Sequence, residues 1–247
     1  MALRKRIGVI VPSTNTTCEA DFQLAASEDI TIHGHRLWIT NEAIDKDGTD
    51  RMNHEIQDAA RYLATARVDV IGYGCTTGSF YRGVGWDTKM IEIIEEAAGV
   101  PAVVTSPSVV EALRFFEARK ISVATPYAQW VNDQLRVYLE SQGFEVLNVE
   151  AEPWASQAGN QETNDQDPEV IIEFASKVCR PDADAMLCSC TAWRSMEVVD
   201  ELERRISRPV VTSNQATIWA AFREAGIVRP VQGFGKLLEN IAVLPTL

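Results

Sequence analysis

The sequence predicts an α/β protein made of two similar Rossmann-like or flavodoxin-like domains, each with a parallel four-stranded sheet, related by pseudo-two-fold symmetry. Three observations predict it. Short apolar segments alternate with amphipathic ones along the 247 residues, the pattern of parallel strands covered by helices on both faces. The apolar segments are continuous runs bounded by Gly, Pro or Ser rather than alternating ones, as strands buried on both faces should be. Finally, three blocks recur in the same order in the two halves. IGVIVPSTNTTCEADF from Ile7 matches ISVATPYAQWVNDQL from Ile121, an offset of 114 residues. VDVIGYGCTTG matches ADAMLCSCTAW with Cys75 against Cys190, an offset of 115, and PAVVTSPSVVEAL matches RPVVTSNQATIWAAF with Thr105 against Thr212, an offset of 107. Ordered recurrence at nearly constant spacing marks a duplication.

Element by element, strands are expected at 6–11, 30–38, 68–73 and 102–105 in the first half and at 121–124, 145–149, 185–188 and 210–212 in the second. A helix is expected at 19–26, where PSTNTT supplies capping side chains ahead of it. Further amphipathic helices are expected at 53–65, 91–98, 109–119, 130–141, 169–178 and 195–206. The stretch 160–168, NQETNDQDP, is the one extended polar loop in the sequence, and loops on such scaffolds carry function more often than stability. The expected division is 1–115 plus 214–247 for the first domain and 116–213 for the second, with the active site in the cleft between them.

Composition narrows the function. A net charge of −12 argues against nucleic acid, which needs clustered Lys and Arg. It leaves room for a small anionic substrate held by backbone N–H groups and helix N-termini. No segment reaches the roughly 18 uninterrupted apolar residues of a membrane helix. MALRKRIGVIVPSTN reads as a first strand rather than a signal peptide. Five cysteines without disulfide-domain spacing fit reduced thiols, hence a cytoplasmic location. A homo-oligomer is compatible with all of this.

In open parallel sheets ligands sit beyond the carboxyl ends of the strands. The residues there are Pro12-Ser13-Thr14-Asn15, Gly74-Cys75-Thr76-Thr77 and Thr105-Ser106-Pro107, and, in the second half, Thr125-Pro126-Tyr127, Ser189-Cys190-Thr191 and Thr212-Ser213-Asn214. The set is rich in hydroxyls, amides and thiols and nearly empty of cations. The glycines of GYGCTTG miss the GxGxxG spacing and lie after the third strand rather than the first, which argues against a dinucleotide. Cys188-Ser189-Cys190 invites a metal, but no C-x-x-C pair or matched histidine supports one. Cys18, Cys179 and Cys188 read as small buried hydrophobes. At Cys75 and Cys190 the strand-end position, the symmetry and a following helix N-terminus that would lower the thiol pKa favour catalysis. His33, His35 and His54 are scattered, which weakens a Cys-His dyad. Asn15 serves as a helix cap, a carboxylate ligand or both. Arg82 reads as an exposed helix-end arginine, and the six tryptophans read as packing residues.

At these residues the chain resembles the aspartate/glutamate racemase superfamily, most closely the branch that holds maleate cis-trans isomerases and arylmalonate decarboxylases. IGVIVPSTNTTCEADF, GYGCTTGSFYRG, LCSCTAW and GFGKLLE carry the resemblance over nearly the whole length. It implies two similar α/β domains around a cofactor-free site. It also implies Cys75 as the first-domain nucleophile, Cys190 as the second-domain cysteine, and Asn15, Tyr127 and Asn160 as substrate-binding residues. Thr14, Thr76, Thr77 and Thr191, beside them at the strand ends, complete the expected substrate site. The decarboxylases of this branch keep only the second cysteine, with Gly-Thr-Ser where this chain has Gly74-Cys75-Thr76-Thr77, so two thiols argue against decarboxylation. The segment after the first cysteine is apolar in the isomerases and is Thr76-Thr77-Gly78-Ser79 here, which points to a different or larger acid. The resemblance implies isomerisation of a maleate-like dicarboxylate, with a two-thiol racemase, an arylmalonate-type decarboxylase and a non-catalytic dicarboxylate-binding protein as alternatives.

Overall fold

The computed structural model describes residues 4–40 and 45–241. Two four-stranded parallel sheets form its frame. The first runs β1 (Lys5–Pro12), β2 (Ile30–Leu37), β3 (Val70–Tyr73) and β4 (Ala102–Val104) in the spatial order β2-β1-β3-β4. The second runs β5 (Lys120–Thr125), β6 (Glu145–Ala151), β7 (Ala185–Cys188) and β8 (Val210–Thr212) in the order β6-β5-β7-β8. The two orders are the same topology, the structural form of the repeat in the sequence. Ile7 sits opposite Ile32 and Val70, and Ile121 opposite Val146 and Ala185. The one register shift, at Ile121/Ser122 against β6, has no counterpart in the first sheet.

The helices follow the strands. They are α1 (Cys18–Ala25), α2 (Lys46–Asn53), α3 (Ile56–Thr65), α4 (Thr76–Phe80), α5 (Trp86–Ala98) and α6 (Thr105–Phe115), then α7 (Gln129–Ser141), α8 (Asn160–Asn164), α9 (Pro168–Val178), α10 (Val199–Ile206), α11 (Ser213–Glu224) and α12 (Gly235–Glu239). The helix expected at 53–65 is two helices, because α2 ends at Asn53 and the chain restarts at Ile56. The helix expected at 109–119 starts four residues earlier, directly from β4: Pro107 falls in the first turn, where its missing N–H is harmless, and Ser108 donates to the Val104 carbonyl (2.8 Å). The segment expected at 195–206 opens as a 3-10 turn, Arg194–Val198, before α10.

The largest of three apolar clusters runs through both sheets, joining Ile7, Val9 and Phe22 to Ile121, Val123 and Leu187, and the other two lie on the outer face of one sheet each. Helices α6 and α11 lie between the sheets and pack on each other. From Ser213 to Phe222 every residue of α11 is buried. It follows β8 but covers the first sheet, with the Thr217 methyl standing over Gly72. Polar ties cross the same seam: Thr217 donates to Thr105 Oγ1 (3.0 Å), and Thr76 to Ser213 Oγ (2.9 Å). Among the described residues no helix is long and apolar enough to cross a membrane.

Candidate active site

In a β2-β1-β3-β4 order the connections leave the two central strands in opposite directions, which opens a crevice beyond their carboxyl ends. Here the two crevices meet. Pro12 and Asn15 after β1 and Cys75 to Gly78 after β3 face Pro126 and Tyr127 after β5 and Cys190 to Ala192 after β7, around one cavity of about 600 Å³. Trp130, Trp154, Met52 and Ile39 form its apolar outer wall. Among the described residues, Glu162 is the one charged side chain in the lining, and no Lys, Arg or His takes part.

Cys75 is the N-cap of α4 and its sulfur accepts from the Gly78 N–H (3.4 Å). Burial pushes the thiol up, while the Gly78 N–H and the Tyr73 hydroxyl draw it back. A chain of hydrogen bonds supports this corner. Tyr73 donates to Asn53 Oδ1 (2.6 Å), Asn53 donates to the Gly78 carbonyl (3.1 Å), and the Trp86 indole donates to that same carbonyl (2.9 Å). A methyl group on Gly78 would collide with the Tyr73 hydroxyl, so the close approach requires glycine.

Cys190 is only 6% exposed, and burial pushes its thiol up to about 12, against the pull of the Ala192 and Trp193 N–H groups and the Tyr127 hydroxyl. The Cys190 sulfur accepts from Ala192 N–H (3.4 Å). The two halves diverge here. The expectation that each cysteine leads into a helix N-terminus holds at Cys75 and fails at Cys190, where a turn and a 3-10 segment follow. The lowered thiol pKa expected at both positions is overturned, because desolvation outweighs the amide dipoles at each.

Asn15 lines the cavity and caps the start of α1. Its Oδ1 accepts from the Thr17 and Cys18 N–H groups (3.0 and 2.9 Å) at the start of α1, and its Nδ2 donates across the cleft to Thr191 Oγ1 (3.1 Å). Thr191 in turn donates to the Gly74 carbonyl (3.1 Å). Thr76, Thr77 and Tyr127 line the cavity with them. Thr14 does not line it: its hydroxyl is buried without a hydrogen-bond partner and its carbonyl accepts from Asn164 (3.0 Å). The side chain of Asn160 lies outside the described residues. His33, His35 and His54 stand elsewhere, against Thr31, the Tyr62 ring and the Asp50 carbonyl. Arg82 pairs with Asp50 and lies over the Trp86 ring. Among the described residues no three His, Cys, Asp or Glu side chains gather as metal ligands.

Sequence reading missed the residues that act from behind. Asn164 accepts from Thr16 N–H (3.0 Å) and Thr17 Oγ1 (2.8 Å), tying α8 to the first half. Glu152, buried, accepts from Ala155 N–H (2.6 Å) and Gln166 Nε2 (2.8 Å) and so fixes the turn that carries Trp154. Only the polar character of 160–168 hinted at this region.

The arylmalonate decarboxylase (Amdase) family model matches residues 7–238. A maleate isomerase of Pseudomonas putida is 27% identical over 248 residues, covering 95% of this chain and 97% of its own. An arylmalonate decarboxylase of Bordetella bronchiseptica is 28% identical over 203 residues, covering 80% of this chain and 82% of its own. The crystal structure of a cysteine-to-alanine variant of the maleate isomerase Iso from Pseudomonas putida with maleate superposes with a TM-score of 0.87 at 25% identity, covering 97% of this chain and 99% of that one. With twin parallel sheets meeting at one cavity and a match running from the first strand to the last helix, the chain belongs to the arylmalonate decarboxylase family within the Asp/Glu racemase-like superfamily.

Proposed function

We propose that the protein is a cofactor-independent cis-trans isomerase of a maleate-like dicarboxylate, converting maleate to fumarate. One observation carries this reading above all: two free thiols from opposite halves, Cys75 and Cys190, line the same cavity. The maleate isomerases among the relatives support the same chemistry. Cys75 first gives up its proton to solvent and then, as the thiolate, adds to one alkene carbon. The π electrons move toward the neighbouring carboxylate, and the Cys190 thiol gives its proton to the other carbon. The new C–C single bond rotates. Cys190 then takes a proton back as the C–S bond breaks, so nothing is gained or lost and no oxidant or cofactor enters. The N–H groups of α4 and the side chains of Asn15, Thr76, Thr77, Tyr127 and Thr191 hold the carboxylates and the developing enolate. The division of labour fits the surroundings: Cys75 caps a helix, and the more deeply buried Cys190 keeps its proton to donate.

The finer picture belongs to the same proposal. Residues 1–115 with 214–247 form one domain and 116–213 the other. The enzyme works in the cytoplasm, where its thiols stay reduced.

Incubating the protein with small dicarboxylates, maleate first, in deuterated water and following proton NMR tests the reading. We expect loss of the maleate signal and growth of fumarate. Cys75→Ala and Cys190→Ala should each lower turnover by about a thousandfold or more. Deuterium exchange at a stereocentre without alkene isomerisation would assign a racemase instead, and carbon dioxide release from an arylmalonate would assign a decarboxylase.

A further inference from the structure

The turn Cys190-Thr191-Ala192 is clamped at nearly every polar atom. Thr191 Oγ1 is held by Asn15 and Gly74, and the Ala192 carbonyl accepts from Thr17 Oγ1 (3.1 Å). The Thr191 carbonyl accepts from Asn214 Nδ2 (3.0 Å), at the start of α11. That same Nδ2 donates its other hydrogen to Asp21 Oδ2 (2.6 Å), on α1. Asp21 is 1% exposed and, among the described residues, makes no ion pair. Its neighbours facing the core on α1, Cys18, Phe22 and Ala25, pack as ordinary small or apolar residues. A carboxyl is an expensive choice for such a place.

Its value lies in what it forbids. Asn214 Oδ1 has no hydrogen-bond partner, so nothing on the oxygen side holds the amide in its orientation. Asp21 Oδ2 and the Thr191 carbonyl both act as acceptors, and together they oblige the nitrogen, not the oxygen, of the Asn214 amide to face them. Rotation of the amide would turn an oxygen onto the Thr191 carbonyl and release the turn next to Cys190.

We propose that Asp21, through Asn214, is a positioning residue that fixes the Cys190 turn, and with it the site from which the second thiol delivers its proton. The kinetic part rests on the isomerase reading above; the structural part does not.

The test compares Asp21→Ala, Asn214→Ala, their double variant and Asp21→Asn in the full chain. Two measurements are made: isomerisation kinetics, and iodoacetamide alkylation of Cys190 and Cys75 followed by peptide mass spectrometry. Each alanine variant should lower kcat by about tenfold or more with KM within about twofold, because Cys75, the N–H groups of α4 and the contacts from Thr76, Thr77 and Tyr127 are untouched. The double variant should be no worse than either single one, since both break one link. Asp21→Asn, which keeps an acceptor oxygen, should recover most of the rate. Alkylation of Cys190 should speed up by about tenfold in the alanine variants as the turn loosens, with Cys75 unchanged. Unchanged kcat, a change confined to KM, additive losses or unaltered Cys190 alkylation would each overturn the proposal. Should Asp21→Ala fail to fold, Asn214→Ala and Asp21→Asn decide it. Should the wild-type protein isomerise nothing, the functional reading falls and the alkylation rates still decide the clamp.

Discussion

Asp21 is a residue whose energetics and purpose pull apart. Burial raises its carboxyl from 3.8 to about 7, against the pull of Asn214; Glu197 raises it further and Arg194 lowers it. Between those two values the folded protein holds a proton that the unfolded chain has already lost. Stability therefore falls as pH rises through that window, and the loss is complete above it, amounting to about 4 kcal/mol. Asp21→Asn removes the ionisable group. Urea unfolding should give wild-type and variant midpoints that nearly coincide at pH 4 and separate by pH 8, with the variant the more stable. Parallel curves at the two pH values would show that Asp21 is not buried as described. At this scale the sequence was partly legible. Cys75, Cys190, Asn15 and Tyr127 announced themselves because a strand-end rule applies to each from local pattern alone. Asp21, Tyr73, Asn53 and Asn164 did not, because each acts through a partner far along the chain: 193 residues separate Asp21 from Asn214 and 147 separate Thr17 from Asn164.

Among the elements, all eight strands were legible, since buried parallel strands are apolar runs with sharp polar ends. The short helices α2, α4, α8 and α12 were not, because each is too short for a helical period to stand out, and neither was α11, which is buried all round from Ser213 to Phe222 and so shows no amphipathic stripe. α4 is the important omission: five residues, rich in Thr and Gly, form the turn that caps the Cys75 sulfur. Helical geometry brings the Gly78 N–H to that sulfur, and Gly78 can sit there only because it lacks a side chain. Gly78→Ala should destabilise the fold by about 1–3 kcal/mol, since Tyr73, fully buried and bound to Asn53, has nowhere to retreat. The same substitution should displace Cys75 and lower both turnover and the alkylation rate at that cysteine. Urea midpoints with Cys75 peptide mapping check both effects, and a variant with native midpoint and native Cys75 reactivity would refute the packing described here.

On the scale of the molecule, the duplication read from three sequence blocks became two sheets of one topology, and their strand ends meet at a single cavity. What the blocks did not show is how the halves interlock, because α11 crosses from the end of the second sheet to cover the first. The electrostatic consequence of this architecture can be tested directly. The protein carries a net charge of −12, and among the described residues the cavity lining offers a dianionic acid no cation. On the isomerase reading, short-range amide and hydroxyl dipoles would bind the carboxylates once they arrive but exert little pull at a distance, whereas the net negative charge would repel the approaching substrate. Salt shortens the reach of that repulsion, from about 30 Å at 0.01 M to about 8 Å at 0.15 M, without weakening hydrogen bonds inside the cavity to the same degree. The expected outcome is that kcat/KM for maleate rises by about two- to fivefold over that range, with the gain mainly in the second-order rate and little change in kcat. An enzyme steered by lysine or arginine behaves the opposite way. Initial rates measured across a sodium chloride series at fixed pH decide the matter. A fall in kcat/KM with added salt would mean that a basic side chain outside this lining reaches the substrate and that dipoles alone do not bind the acid.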